Sequence, residues 1–368
     1  MKQNYIFAAN HRVKTRLTLC MKSYILSILS LGLLLTACDN EIEINAEYQD
    51  IPIVYGIIDG SEDTNFFRIQ RGYLGTEAAS ASFNSTDSLY YTSVDASINE
   101  YNANGDLLRT IPLVEDQTSR ALDTGLFTTE GFRLYRFDDP AAIEFNSNYE
   151  YEITLTTPSG ATADSRTAIV GDIDLVTPPQ PITNRIFNGL IRFYRASNAV
   201  VYETYLDFNY FEIDRNATPQ KSETKTVHIN LGRKVPNNNV GSSPEQVELD
   251  RFRLYDILAG SIEPAPDGVY RFFDDVTITV YAGGTDLYTY MQLNQPTTSL
   301  NQNQPEFPGI NGGTGLFSSR NKTVRDSVDL QSTFKTGFYN SPVACDLRFS
   351  FIEGTDTCYC RNGVKYCE

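Results

Sequence analysis

Tyr149-Glu150-Tyr151-Glu152-Ile153-Thr154-Leu155 decides the fold class. A large apolar or aromatic side chain occupies every second position, with Glu or Thr between. Successive side chains of an extended chain point to opposite faces, so this is a strand buried on one side only. Pro158-Ser159-Gly160 then supplies a turn, and residues 161–170 read as the antiparallel return strand. Working back toward the N-terminus, residues 51–58 form an apolar run closed by Asp59-Gly60, and 66–69 form another. In 94–101, Val94, Ala96 and Ile98 mark a buried face. Asn104-Gly105 turns the chain into 107–113, and 132–137 alternates again. Short strands, turn residues between them and no helical period predict an antiparallel β-sandwich over residues 49–172.

Forward of it, Thr177-Pro178-Pro179-Gln180-Pro181 predicts a stiff linker within 173–184. Residues 185–340 then read as an α+β domain with two short helices. Strands are expected at 201–213, rich in Tyr and Phe, at 226–231, and at 274–281, where Val276, Ile278 and Val280 share a face. The first helix is predicted from Ser243 as N-cap, Pro244 in the first turn and Gln246 completing a capping box. Val247, Arg251, Leu254, Ile257 and Leu258 follow at helical spacing, and Gly260 ends it. The second spans 286–294. Gly312-Gly313-Thr314-Gly315 closes a Gly/Pro/Asn-rich loop and reads as a flexible connection.

The tail, 341–368, holds Cys345, Cys358, Cys360 and Cys367. An even, clustered set in an oxidising compartment predicts two disulfides of open connectivity. A zinc site is the rival, without Cys-x-x-Cys spacing or a nearby His. Arg361-Asn362-Gly363 carries the Asn-Gly hairpin signal, so a stapled C-terminal hairpin is expected.

The N-terminus gives an address. Met21 and Lys22 precede an apolar run from residue 25 to 37, which stops at Leu35-Thr36-Ala37-Cys38. A basic start, a short apolar stretch and small residues before the cut describe a signal peptide over 1–37. The run is shorter than the roughly 20 residues a membrane-spanning helix needs, which disfavours the alternative of a stop-transfer anchor. Leu-Thr-Ala-Cys resembles the bacterial lipobox, making Cys38 the acylated first residue and 38–48 a lipidated tether in contact with the bilayer. Met21 reads as the start, with 1–20 an extension.

The formal charge is −16, and five basic residues lie upstream of Cys38, so the remainder is more acidic still. Such a field repels nucleic acid, and no nucleic-acid partner is expected. With 23 Tyr and 21 Phe the chain has ample material for cores. Beyond Cys38 the sole histidine is His228, between Val227 and Ile229, and its side chain should point away from theirs. No nucleophile elbow, phosphate loop or dinucleotide fingerprint is present. Ser222-Glu223-Thr224-Lys225 matches a Ser-x-x-Lys spacing by chance in a polar loop. Asp138-Asp139, Asp274-Asp275 and the acidic loop 59–65 could offer oxygens to Ca²⁺, but none has the EF-hand register, and solvated turns explain them. No catalytic residue, cofactor or metal site is predicted, although a carboxylate-based hydrolase needs no sequence motif.

Several stretches together resemble a family of Bacteroidetes outer-membrane lipoproteins of unknown function. They are the Cys38 lipobox with Asp39, Glu41 and Glu43 after it, Ile53-Val54-Tyr55-Gly56-Ile57-Ile58-Asp59, and Phe67-Arg68-Ile69-Gln70-Arg71-Gly72-Tyr73-Leu74-Gly75. To these are added Tyr149-Glu150-Tyr151-Glu152-Ile153 with Thr157-Pro158-Ser159-Gly160, and the stretch from Gly312 to Arg320, ending Gly315-Leu316-Phe317-Ser318-Ser319-Arg320. The resemblance implies an immunoglobulin-like first domain, surface exposure, and a TonB-dependent transporter as partner. It implies no catalytic residues. The expectation is a non-catalytic surface lipoprotein accessory to nutrient uptake. The alternative, direct glycan or peptide binding, would place aromatics together on one face of residues 185–340.

Overall fold

The computed structural model describes residues 50–72, 89–116, 133–139, 143–178, 185–186, 189–217, 221–237, 243–295, 307–353, 356–361 and 364–367. The chain divides into two compact units, Met1–Tyr48 and Gln49–Glu368, and all described residues belong to the second. Cys38 and the stretch expected to be a signal peptide lie outside the described residues.

The first seven strands are β1 (Pro52–Asp59), β2 (Phe66–Arg71), β3 (Asp95–Tyr101), β4 (Leu107–Glu115), β5 (Tyr135–Phe137), β6 (Glu150–Thr156) and β7 (Thr162–Ala168). The alternation of the opening stretch is realised in β6, where Tyr151, Ile153 and Leu155 are buried. In β3 the buried face runs through Ala96 and Ile98 and continues to Glu100. Glu100 keeps its carboxylate inside because Tyr151 Oη donates to it at 2.6 Å and Arg109 Nε pairs with it. Burial, and then the bond to Glu100, hold the Tyr151 hydroxyl far above the ordinary phenol range. β4 lies between β3 and β5 in one large mixed sheet. Its first part pairs with β3, and Leu113–Glu115 pairs with β5. Residues of β1, β2 and β5 share one hydrophobic cluster with those of β3, β6 and β7. Phe67 and Phe137 meet edge to face at its centre, 5.3 Å apart, each contributing about 1.5–3 kcal/mol by burial.

The chain continues through β8 (Asp174–Thr177), β9 (Arg185–Ile186), β10 (Leu190–Tyr194), β11 (Val201–Asp214), β12 (Lys221–Lys234) and β13 (Glu245–Glu248). Helix α1 (Arg251–Ser261) precedes β14 (Val269–Gly283), then α2 (Thr285–Leu293), β15 (Thr314–Leu330), α3 (Ser332–Tyr339) and α4 (Pro342–Asp346). The end is β16 (Phe349–Glu353), β17 (Asp356–Arg361) and β18 (Val364–Cys367). Val276, Ile278 and Val280 of β14 are fully buried on one face, as the pattern predicts. With Leu206 and Phe208 of β11 and Leu254 and Leu258 of α1 they build a second hydrophobic cluster. β17 and β18 form the expected C-terminal hairpin, with Arg361 opposite Val364 and Cys358 opposite Cys367.

Several expectations need correction. Four helices, not two, occur among the described residues. Residues 245–248, assigned to the first helix, are a strand instead. Val247 pairs with Ile191 of β10, and Glu245 is buried between Arg195 and Lys234. Helix α1 begins later, where Asp250 Oδ1 accepts the Arg253 amide at 2.8 Å, and it runs through Gly260 to Ser261. The missed α4 has its own signal, Ser341 capping the Ala344 amide with Pro342 in the first turn. Part of the linker, Asp174–Thr177, is a strand paired with β10. Ser222-Glu223-Thr224-Lys225 lies in β12, not in a loop, and Lys225 reaches Glu212 at 2.9 Å.

The glycine run is the most informative correction. Thr314 and Gly315 open β15, which lies parallel to β1 from Ile53↔Thr314 to Asp59↔Arg320. Gly315 has φ +122°, and a Cβ there would stand 1.9 Å from the Val54 carbonyl oxygen. A Cβ on Gly312, at φ +68°, would stand 2.3 Å from the Thr162 carbonyl oxygen. These glycines are a tight seam between backbones, not a flexible connection. β15 thereby joins the two halves: Phe317 packs in the first cluster, Val328 and Leu330 in the second.

Candidate functional site

The seam carries an open groove of about 670 Å³ on the outer face of β12, β11, β14, β15 and β1. Its floor follows from strand alternation. Thr204, Leu206 and Phe208 of β11 face the core, so Glu203, Tyr205 and Asp207 face outward. His228 of β12 is exposed and points opposite to buried Val227 and Ile229, as expected from its flanks. Strand register then sets the polar contacts. Asp207 lies directly across from His228, and Asp207 Oδ1 is 2.8 Å from His228 Nδ1. Glu203 lies across from Arg233, whose Nε donates to Oε1 at 2.7 Å, while Tyr205 Oη donates to Oε2 at 3.0 Å. Burial, reinforced by that bond, raises the Tyr205 hydroxyl above its ordinary pKa.

Tyr281 of β14 stands beside Tyr205, their centroids 5.8 Å apart and their planes at 88°. The two half-buried rings make an aromatic corner. Arg320 lies 5.8 Å from the Tyr281 centroid, and its Nε donates to Asp59 Oδ2 at 2.6 Å. Asp59 is buried, and its Oδ1 also accepts from the Ser61 amide and hydroxyl, at 3.0 and 2.5 Å. Loop 59–65 is an internally bonded turn exposed at residues 60–63, with Asn65 Oδ1 accepting the Asp59 amide at 2.6 Å.

One wall is α2, through Leu287 and Met291. The helix is fixed at its start: Ser318 Oγ accepts the Leu287 amide at 3.0 Å, and Ser319 O accepts the Gly284 amide at 3.0 Å. Ser319 Oγ also ties the other side of the sheet, donating to Ala168 O at 2.6 Å and accepting the Val170 amide at 3.1 Å. The stretch from Gly315 to Arg320 thus has a role at each position: close approach, burial at 316 and 317, helix anchoring, strand stitching, and the ion pair to Asp59. Beyond Arg320 and Ile57, which border both, a smaller hollow of about 330 Å³ continues to Tyr55. Tyr55 is 38% exposed and backed by Tyr290 of α2 at 6.4 Å.

The other residues singled out in the sequence lie apart from this groove. Asp138 and Asp139 are exposed after β5. Asp275 accepts from Asn209 at 2.8 Å, and neighbouring Asp274 is shifted upward by burial and by Asp275. Cys345 and Cys358 are buried in the C-terminal segment. Of the groove residues, only His228 and Asp59 attract attention in the sequence. Glu203, Tyr205, Tyr281 and Arg320 are brought together by register across four strands, which no local motif encodes. Compared with known proteins, the chain matches no family model and no curated protein.

Proposed function

We propose that this protein is a non-catalytic, lipid-anchored cell-surface lipoprotein acting as an accessory or docking component of an outer-membrane nutrient-uptake system. The observation that carries this reading is the state of the groove's ionisable groups. Asp59, Glu203 and Asp207 are each engaged by a basic side chain drawn from another strand. Cross-strand ion pairs at Glu203 and Asp59 suit a docking surface. The Asp207–His228 pair leaves Nε2 open, as an oriented base would, but the groove's described lining residues include neither Ser nor Cys beside it. The sequence supports the address: Leu35-Thr36-Ala37-Cys38 is a signal-peptide ending with an acylation site, followed by acidic residues. The resemblance to Bacteroidetes surface lipoproteins points the same way, and its quoted stretches 53–59 and 315–320 are neighbours in one sheet.

Two finer readings accompany it. The hydrophobic cluster that β1, β2 and β5 share with β3, β6 and β7 supports an immunoglobulin-like sandwich for β1 to β7. The pairing of β17 with β18 and the burial of Cys345 and Cys358 support a stapled C-terminal hairpin, with the connectivity open. The test is metabolic labelling with palmitate, followed by gentle solubilisation of native membranes. Label that is lost on Cys38→Ala, with a TonB-dependent transporter recovered in stoichiometric amount, is the expected result. Unlabelled protein, or protein confined to the inner membrane, overturns the reading.

A further inference from the structure

The groove's chemistry narrows what can lie in it. Its acidic side chains are engaged locally: Glu203 by Arg233, Asp59 by Arg320 and nearby Glu62 by Lys322 in ion pairs, and Asp207 by a hydrogen bond with His228. A strongly charged ligand would have to break one of these pairs to gain its own. What remains for a ligand is neutral. The aromatic corner of Tyr205 and Tyr281 and the apolar side chains of Leu287 and Met291 offer flat, weakly polar surface. Around it are hydrogen-bonding atoms with no partner among the described residues: Asp207 Oδ2, His228 Nε2, Tyr281 Oη and the terminal nitrogens of Arg320. Acceptors and donors thus both border an aromatic platform. A ligand with apolar C–H faces and a rim of hydroxyls, each both donor and acceptor, satisfies both sets together.

The shape adds a second constraint. The main groove continues past Arg320 and Ile57 into the smaller hollow that reaches Tyr55. A single sugar ring would fill one end only, whereas a chain of rings would use both. We propose that the groove binds a neutral carbohydrate chain, stacking one unit in the corner of Tyr205 and Tyr281 and passing Arg320 toward Tyr55. This goes beyond the accessory role and does not depend on it.

The test uses the full chain in mild detergent, run on native gels cast with neutral polysaccharides: starch, xylan, mannan and β-1,3-glucan. The expected result is retarded migration in at least one of them. Titration with oligosaccharides cut from the retarding polymer should then show affinity about tenfold weaker for Tyr205→Ala and for Tyr281→Ala, as for aromatic anchors at other binding sites. Tyr205→Phe keeps the ring and should bind within about twofold of the native protein, which separates loss of stacking from loss of fold. Tyr55→Ala should weaken longer oligosaccharides and leave the shortest binding one unchanged. Phe252→Ala, at an exposed position of α1 outside the groove, should have no effect. No retardation by any of the polymers overturns the proposal. So does retardation that survives the Tyr205→Ala/Tyr281→Ala double variant, or Tyr205-dependent binding of a casein peptide digest without polysaccharide binding. None of these outcomes alters whether a transporter co-purifies, so the proposal and the accessory reading fail separately.

Discussion

Replacing Gly315 by Ala isolates the contribution of the β1–β15 seam. Two costs arise. An L-residue held at φ +122° carries strain of about 1–2 kcal/mol. The new methyl group would also meet Val54 O at 1.9 Å, Val54 C at 2.8 Å and Val54 N at 2.9 Å, all backbone atoms that no rotamer change can move. Restoring a normal C···O contact of about 3.3 Å requires the strands to part by more than an ångström. Two hydrogen bonds of the parallel ladder would then be lost, at about 1 kcal/mol each. The sum is about 3–4 kcal/mol. Gly105→Ala supplies the internal comparison, because Gly105 has φ +85° with nothing within 4 Å of a new Cβ. That substitution carries the strain alone, about 1–2 kcal/mol. In urea unfolding with a slope of about 3 kcal/mol/M, the midpoint should fall by about 1 M for Gly315→Ala and about 0.5 M for Gly105→Ala. Equal shifts for the two variants would refute the close-approach argument.

Tyr151→Phe removes a donor to buried Glu100 and the acceptor of the Asn146 amide, so it should cost about 1–3 kcal/mol in the same assay, while Tyr194→Phe at an exposed position should cost little. The protein should also lose stability in acid through Glu212 and Glu245. Burial pushes both carboxyls upward, but bonds from Lys225 and Arg271 to the first, and from Lys234 and Arg195 to the second, outweigh it and leave both below the ordinary value of 4.5. A depressed folded pKa gives stability that is fully present above the unfolded pKa and is lost as pH falls through the folded one. Unfolding midpoints measured from pH 6 downward should therefore decline below about pH 4.5, and less steeply in Glu212→Gln/Glu245→Gln; identical slopes would refute the assignment.

Strands whose neighbours are set by their own alternation were legible from the sequence. β6 and β3 are half-buried strands in an antiparallel pair, and period two suffices to place their faces. The start of α1 was not, because two cap signals compete there. Ser243 with Pro244 and Gln246 is the better local motif, yet Asp250 caps the helix, since β10 takes residues 245–248 into a ladder and Arg195 and Lys234 hold Glu245. The Gly312 to Gly315 stretch misled for a related reason. Glycine density signals freedom until another backbone fills the space a side chain would occupy, and here Thr162 and Val54 do so. The groove was least legible. Asp59 and Arg320 are 261 positions apart, and Tyr205 meets Tyr281 only through the β11–β14 register.

The parallel pairing of β1 with β15 also imposes an order of events in time. Synthesis delivers β1 early, but the strand that covers its open side arrives only with residues 314–320. Until then β1 exposes an unpaired edge to any other extended segment, and the first cluster lacks Phe317 and Ile310. The early half must therefore wait, partly open, for the late half, and contacts so distant along the chain close slowly. A nascent chain with this topology keeps that edge open through most of its synthesis. Truncation anywhere before Thr314 should yield not a stable first half but an aggregating one.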